Sequence, residues 1–299
     1  MSDFDRTSTL VVLDGSSAGG GMAPWRDTEL ETRRLDDESP EDLRGLFSRY
    51  ETVVVDAADP TVSRVATAFG RMNQAGGTVP TLCPLDGPGM RTVASWLGAT
   101  EVSEEVVGRL CGSSDLRAIG RGEQLPTLRV TPSVEEAPLY GCTFGGGLLY
   151  TAFEAYRRGT GAGFSGLRSA VTEVAGELAE SSAGGGESGR MTVDYEPEAE
   201  QIGFALASSL PRTWLGLSLG DRGKPTYMAG REGGESLRKL LRAGALPSSV
   251  HAEGRSFGCL HLDWSGGYVL DGRLRRPDRA YVLEVAAGPS LDAVAIESS

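Results

Sequence analysis

At 299 residues, with 39% hydrophobic and 23% charged residues, the chain has enough apolar material for two packed domains, which argues against global disorder. A net charge of −12 repels phosphate backbones, arguing against nucleic acid as a partner and against tight electrostatic docking on an anionic membrane. The opening MSDFDRTSTL lacks the apolar core of a secretory signal, and no run of about 18 apolar residues follows, so a cytoplasmic location is expected.

The first half alternates strand and helix patterns. Leu10 to Asp14 (LVVLD) reads as a short buried strand, and the turn SSAGGG follows it. Ser39-Pro40 opens a helix, since serine caps free amides and proline suits the first turn; Leu43, Leu46, Phe47 and Tyr50 then share one face. Thr52 to Asp56 is the next buried strand, followed by a helix with Val62, Val65, Ala66, Phe69 and Met72 on one stripe. Thr78 to Leu85 is a third strand, and Met90, Val93, Ala94 and Leu97 form another helical face. Ser103 caps a further helix, with Glu104 and Glu105 favourable in its first turn. This β-α-β-α order predicts an open, doubly wound parallel sheet with helices on both sides.

The pattern then changes. DLRAIG, TLRVTP and LYGCTFGG read as strands without intervening helices, and two helices follow near Leu148 to Arg157 and Ser165 to Leu178. After the loop Ser181 to Gly189, the segments MTVDY, QIGFALASSL, TWLGLSL, FGCLHLDW, YVLDGRL and AYVLEVA predict a mainly antiparallel β-sandwich, interrupted by one helix with Leu237, Leu240 and Leu241. The expected division is residues 1–120 and 121–299, with a return of late strands to the first domain left open.

Cys83, Cys111, Cys142 and Cys259 form no CxxC pair and sit in apolar stretches, so buried free thiols are expected. His251 and His261 share no metal-like spacing, and no metal site is expected.

Five segments together resemble the diacylglycerol kinase, sphingosine kinase and bacterial lipid kinase superfamily, which is distantly akin to NAD kinases. LVVLD-GSSAGGG resembles the opening strand and NPxSGGG-like turn, and VVVDAADPTV stands where the family has VVxGGDGTV. LCPLDGPGMRTVASWLGA is similar to PLGTxNDFARxLG, LYGCTFGGGLLYTAFEAYRR to FxNxASxGFDAxV, and VLDGRL to xxDGEx. The resemblance implies an NAD kinase/diacylglycerol kinase-like fold, α/β plus β.

It also implies a site. Ser17, Gly19, Gly20, Gly21, Thr61 and Gly87 correspond to nucleotide-binding positions, and Asp59 and Asp271 to catalytic ones. ATP and Mg2+ are the implied cofactors if phosphoryl transfer persists, and none otherwise. The motifs are damaged, however. GGDGT becomes Ala57-Ala58-Asp59-Pro60-Thr61, so all three glycines are lost and Pro60 has no amide hydrogen to donate. The Asn-Asp pair is absent around Asp86 to Met90, and Arg273 replaces the acid of DGE, which cannot act as a base at neutral pH. Asp59 reads equally as a turn and helix-capping residue ahead of Pro60.

The expectation is a lipid-kinase-like protein with impaired ATP-dependent transfer, binding a lipid or nucleotide in the cleft between its domains. Two other readings stay open. One is an active kinase for a diacylglycerol- or sphingoid-type hydroxyl, with Asp59, Thr61, Asp86 and Asp271 as metal contacts; the other is a non-catalytic scaffold or assembly protein. Phe144, Leu148, Tyr150, Phe153, Trp214 and Tyr227 are candidates for the lipid wall, or core residues. Peripheral membrane contact and a homodimer are further expectations of the resemblance.

Overall fold

The structure, a computed structural model, describes residues 7–14, 23–35, 38–86, 89–113, 115–134, 137–159, 163–180, 189–196, 199–211, 213, 224–230 and 251–297. It divides into two compact units, Met1–Leu125 with Pro289–Ser299, and Pro126–Gly288.

The first unit begins with β1 (Thr7–Asp14), β2 (Glu31–Leu35), α1 (Pro40–Phe47), β3 (Tyr50–Asp56), α2 (Asp59–Gln74), β4 (Thr81–Pro84), α3 (Thr92–Leu97), α4 (Glu104–Gly112) and β5 (Arg121–Leu125). The second contains β6 (Leu128–Pro132), β7 (Leu139–Gly141), β8 (Thr143–Gly147), α5 (Leu148–Arg158), α6 (Gly163–Glu180), β9 (Gly189–Val193), β10 (Glu200–Ile202), β11 (Phe204–Ser208), β12 (Thr226–Gly230), β13 (His251–Ser256), β14 (Cys259–Trp264), β15 (Tyr268–Leu270), β16 (Arg273–Arg275) and β17 (Tyr281–Ala287). The last strand, β18 (Leu291–Ala295), belongs to the first unit.

The first unit's sheet has the order β2-β1-β3-β4-β18-β5. It is parallel except for β5, which runs against β18. Its central strands are buried on both faces, which is why β1 and β3 read as the unbroken apolar runs Leu10–Leu13 and Val53–Val55. Local signals set several helix starts. Ser39 and Asp42 form a reciprocal capping box with Pro40 in the first turn of α1, and the Ser103 side chain accepts the Val106 amide at the start of α4. Between β1 and β2 the only described helix is the 3-10 turn Ala23–Trp25. DLRAIG departs from the expected strand. The Asp115 side chain accepts the Arg117 amide at 2.9 Å and turns the chain into a 3-10 helix, Leu116–Ala118, so the strand starts only at Arg121.

The second unit is built on two sheets, β10-β9-β14-β17-β6-β7 and β13-β12-β11-β8-β15-β16, antiparallel throughout. Side chains of both sheets share one core, among them Leu128, Phe144, Met191, Tyr227, Leu262, Trp264, Tyr268 and Leu283. This is a β-sandwich. Two segments that read as single strands switch sheets instead: LYGCTFGG at Cys142, between β7 and β8, and QIGFALASSL at Gly203, between β10 and β11.

Phe144 and Tyr227 are sandwich-core residues, and Leu148, Tyr150 and Phe153 are buried on α5. Trp214, the rest of the segment TWLGLSL beyond Thr213, and the helix at Leu237 lie outside the described residues. Cys83, Cys142 and Cys259 are buried free thiols, whereas Cys111 corrects the expectation: it projects to solvent from the last turn of α4. Among the described residues no helix is long and apolar enough to cross a membrane.

Candidate functional site

In an open α/β sheet the functional crevice opens at the carboxyl ends of the strands, where the strand order reverses. Here that point lies between β1 and β3, since the chain passes from β1 to β2 on one side and then to β3 on the other. Both strands end in an acid, Asp14 and Asp56, and α2 starts immediately beyond β3.

A helix start leaves four backbone donors without intrahelical partners, which is why such ends bind phosphate. At α2 those positions are accounted for inside the protein. The Ala58 amide donates to Asp14 Oδ2 at 3.1 Å, the Asp59 amide to the Met90 carbonyl at 2.8 Å, and the Thr61 amide to the Ala58 carbonyl at 2.9 Å. Pro60 has no amide hydrogen. The Thr61 hydroxyl also donates to Asp14, through Oδ1. The Asp14 carboxylate therefore stands where an anionic ligand would be expected.

Asp59 faces elsewhere. It is the first helical residue of α2 and is 1% exposed. Its carboxylate accepts the Thr92 amide at 2.8 Å and the Val93 amide at 3.4 Å, capping α3 across 33 residues of sequence. Burial pushes its pKa up to about 6, with the Thr92 and Val93 amides and the Arg91 guanidinium pulling the other way. Asp56 is held by the Trp25 indole at 2.9 Å and by Arg91 Nη1 at 3.4 Å, and the same Nη1 donates to the Leu85 carbonyl at 2.7 Å.

At this end of α2 the described polar groups are engaged within the protein. The donors are committed to protein acceptors, and the oxygens of Asp14, Asp56 and Asp59 all have protein donors.

Asp271 lies in the second unit, 4% exposed, in the turn between β15 and β16. Asp271 and Gly272 have φ of 46° and 78°, the backbone that a two-residue type I′ hairpin requires and that Asp-Gly supplies at low cost. Its carboxylate accepts the Cys142 amide at 2.8 Å and the Thr143 amide at 2.7 Å. Those amides belong to the corner where the chain changes sheets. Gly141 makes this grip possible, because a Cβ there would lie 2.3 Å from Asp271 Oδ2.

Of the sequence-derived site residues, Asp59 and Thr61 share the α2 start, and Asp271 belongs to the other unit. Ser17, Gly19, Gly20, Gly21 and Gly87 lie outside the described residues. Asp14, Asp56 and Arg91 were missed. An acid closing each of two apolar runs, Leu10–Leu13 and Val53–Val55, was the available signal for the first two; nothing local marks Arg91.

The geometry defines a class of architecture: an α/β unit whose strand order switches between β1 and β3, joined in sequence to an antiparallel sandwich. Its counterparts are found among solved structures described as diacylglycerol kinases from Bacillus anthracis str. Sterne, two of the three bearing that assignment provisionally. One matches with a TM-score of 0.63 and 11% identity, and the other two with TM-scores of 0.62 at the same identity; each comparison covers 100% of this chain and 99% of the other. The chain thus has the diacylglycerol kinase-like fold, and at this identity the likeness is one of fold. No protein-family model matches the sequence, and no curated protein does.

Proposed function

We propose that this is a lipid-kinase-like protein in which ATP-dependent phosphoryl transfer is impaired, and which binds a lipid or a nucleotide. The observation that carries the reading is the committed start of α2. Phosphoryl transfer works by positioning and charge stabilisation, which needs unspent donors and metal-binding carboxylates around the transferred group. At α2, Asp14 takes the Ala58 amide and the Thr61 hydroxyl, and the Asp59 carboxylate is spent on α3. A phosphate brought to the same place would also face like charge, worth about 4 kcal/mol per pair at 4 Å in a partly screened setting. The lipid side of the reading rests on the structures that share the fold and bear the name diacylglycerol kinase. A cytoplasmic protein that meets lipid by peripheral contact goes with it.

The test is transfer of radiolabelled γ-phosphate from ATP, with Mg2+, to diacylglycerol, sphingosine and ceramide. The expected result is no transfer above the protein-free control. Robust transfer that disappears in Asp59→Ala would overturn the proposal. Calorimetric titration with nucleotides and lipid vesicles tests the binding half: one saturable ligand is expected, and none at all would favour the scaffold reading instead.

A further inference from the structure

The outer face of the sandwich carries a second cluster, independent of the α2 site. Along β14 the side chains alternate: Leu260, Leu262 and Trp264 enter the core, which leaves Cys259 and His261 together on the other face. In the β14–β17 register His261 lies directly opposite Glu284. Cys259 Sγ and His261 Nε2 are 3.3 Å apart, and one ligand atom from each of Cys259, His261 and Glu284 falls within 4.8 Å of the others.

We propose that Cys259, His261 and Glu284 form a binding site for a divalent zinc-type cation. Thiolate, imidazole and carboxylate are the ligand types that zinc takes, and three protein ligands leave a fourth position for solvent or an incoming ligand. The edge of a tetrahedron with ordinary Zn–S and Zn–N bonds is about 3.5 Å, so the Cys259–His261 pair already has nearly the needed spacing. The remaining ligand, Glu284, reaches the others by a side-chain adjustment of about 1 Å.

The surroundings are built to hold the cluster in place. Asp194 Oδ1 accepts the amides of Gly258 at 2.7 Å and Cys259 at 2.8 Å, fixing the backbone that presents the thiol. Arg129 holds Glu284 Oε1 at 2.7 Å, as an outer partner orients a ligating carboxylate. Asp194 and Tyr195 both have positive φ, 49° and 62°, a backbone that costs energy in residues other than glycine and gathers at functional sites. That turn carries the Tyr195 ring to 4.6 Å from the His261 ring, while Tyr195 itself stays 73% exposed.

The carboxylates of Glu284 and Asp194 place negative charge beside the Cys259 thiol, which favours an incoming cation.

The test uses the full chain after chelation, titrated with cobalt(II) and then zinc. One equivalent of cobalt should bind and give thiolate-to-metal charge-transfer absorption, which zinc abolishes by displacement. Cys259→Ser should remove the absorption, His261→Ala should weaken cobalt binding, and Cys111→Ser should leave both unchanged. Glu284→Gln, with its fold checked by circular dichroism, should keep the absorption but weaken zinc binding by at least the roughly 10-fold that loss of even an outer partner costs. Absence of stoichiometric binding, or absorption that survives Cys259→Ser, would overturn the site.

Discussion

Asp59 offers a sharp test of how its buried carboxyl is used. Its pKa stands at about 6 against an ordinary 3.8, and each tenfold change in proton affinity is worth 1.36 kcal/mol. The sign follows from linkage: the folded state holds the proton more tightly than the unfolded state. Asp59 therefore contributes stability that is fully present below pH 3.8 and is lost as the pH rises through about 6, for a total near 3 kcal/mol. At 1% exposure there is little solvent screening to discount. Asp59→Asn keeps one acceptor for the Thr92 amide and removes the titration. The assay is hydrogen exchange of peptides from β1 and β3 in urea, at a series of pH values from 4 to 8, which isolates the first unit. Wild type should lose about 2 kcal/mol relative to Asp59→Asn between pH 4 and pH 7, with little further change above. Parallel pH profiles for the two proteins would refute the reasoning.

Asp271→Ala should destabilise the second unit by about 3 kcal/mol in urea unfolding, because it removes the carboxylate that accepts from both the Cys142 and Thr143 amides; Asp271→Asn should recover part of that. Gly147→Ala should cost about 3 kcal/mol or more in the same assay, since φ is 67° there and a Cβ would lie 2.2 Å from the Gly203 carbonyl oxygen. Arg91→Met should cost about 3 kcal/mol in the first unit by leaving the half-buried Asp56 without its cation. It should also raise the Asp59 pKa further, read from the carboxyl chemical shift, because Arg91 is one of the groups that lower it.

What could be read from residues alone follows the range of the interactions. Ser39-Pro40 and Ser103 announced helix starts because capping is a rule about three or four neighbouring residues. The apolar runs of β1 and β3 announced buried strands for the same local reason. Asp14 could not be assigned, since its partners Ala58 and Thr61 lie 44 and 47 residues away and nothing near it records them. Asp59 was open to reading as a cap, but the helix it caps is α3 and not its own. Asp271 and Gly272 were legible as a turn, while the grip of Asp271 on the Cys142 corner spans 129 residues. The sheet changes at Cys142 and Gly203 were hidden because each switch depends on which strand pairs alongside. The Cys259, His261 and Glu284 cluster escaped a search for CxxC and paired histidines, since on strands ligands come two apart and across the ladder.

The position of β18 bears on how the protein is made. It pairs with β4 on one side and β5 on the other, so the first unit's sheet cannot close without residues 291–295. Those residues leave the ribosome after the whole sandwich has emerged, which at ordinary rates is a wait of roughly 10–30 s. Through that interval the β4 edge is bare, while the sandwich, complete in its own strands, is free to fold. The usual order of maturation is thereby inverted, and the nascent first unit is the part that needs shielding from aggregation.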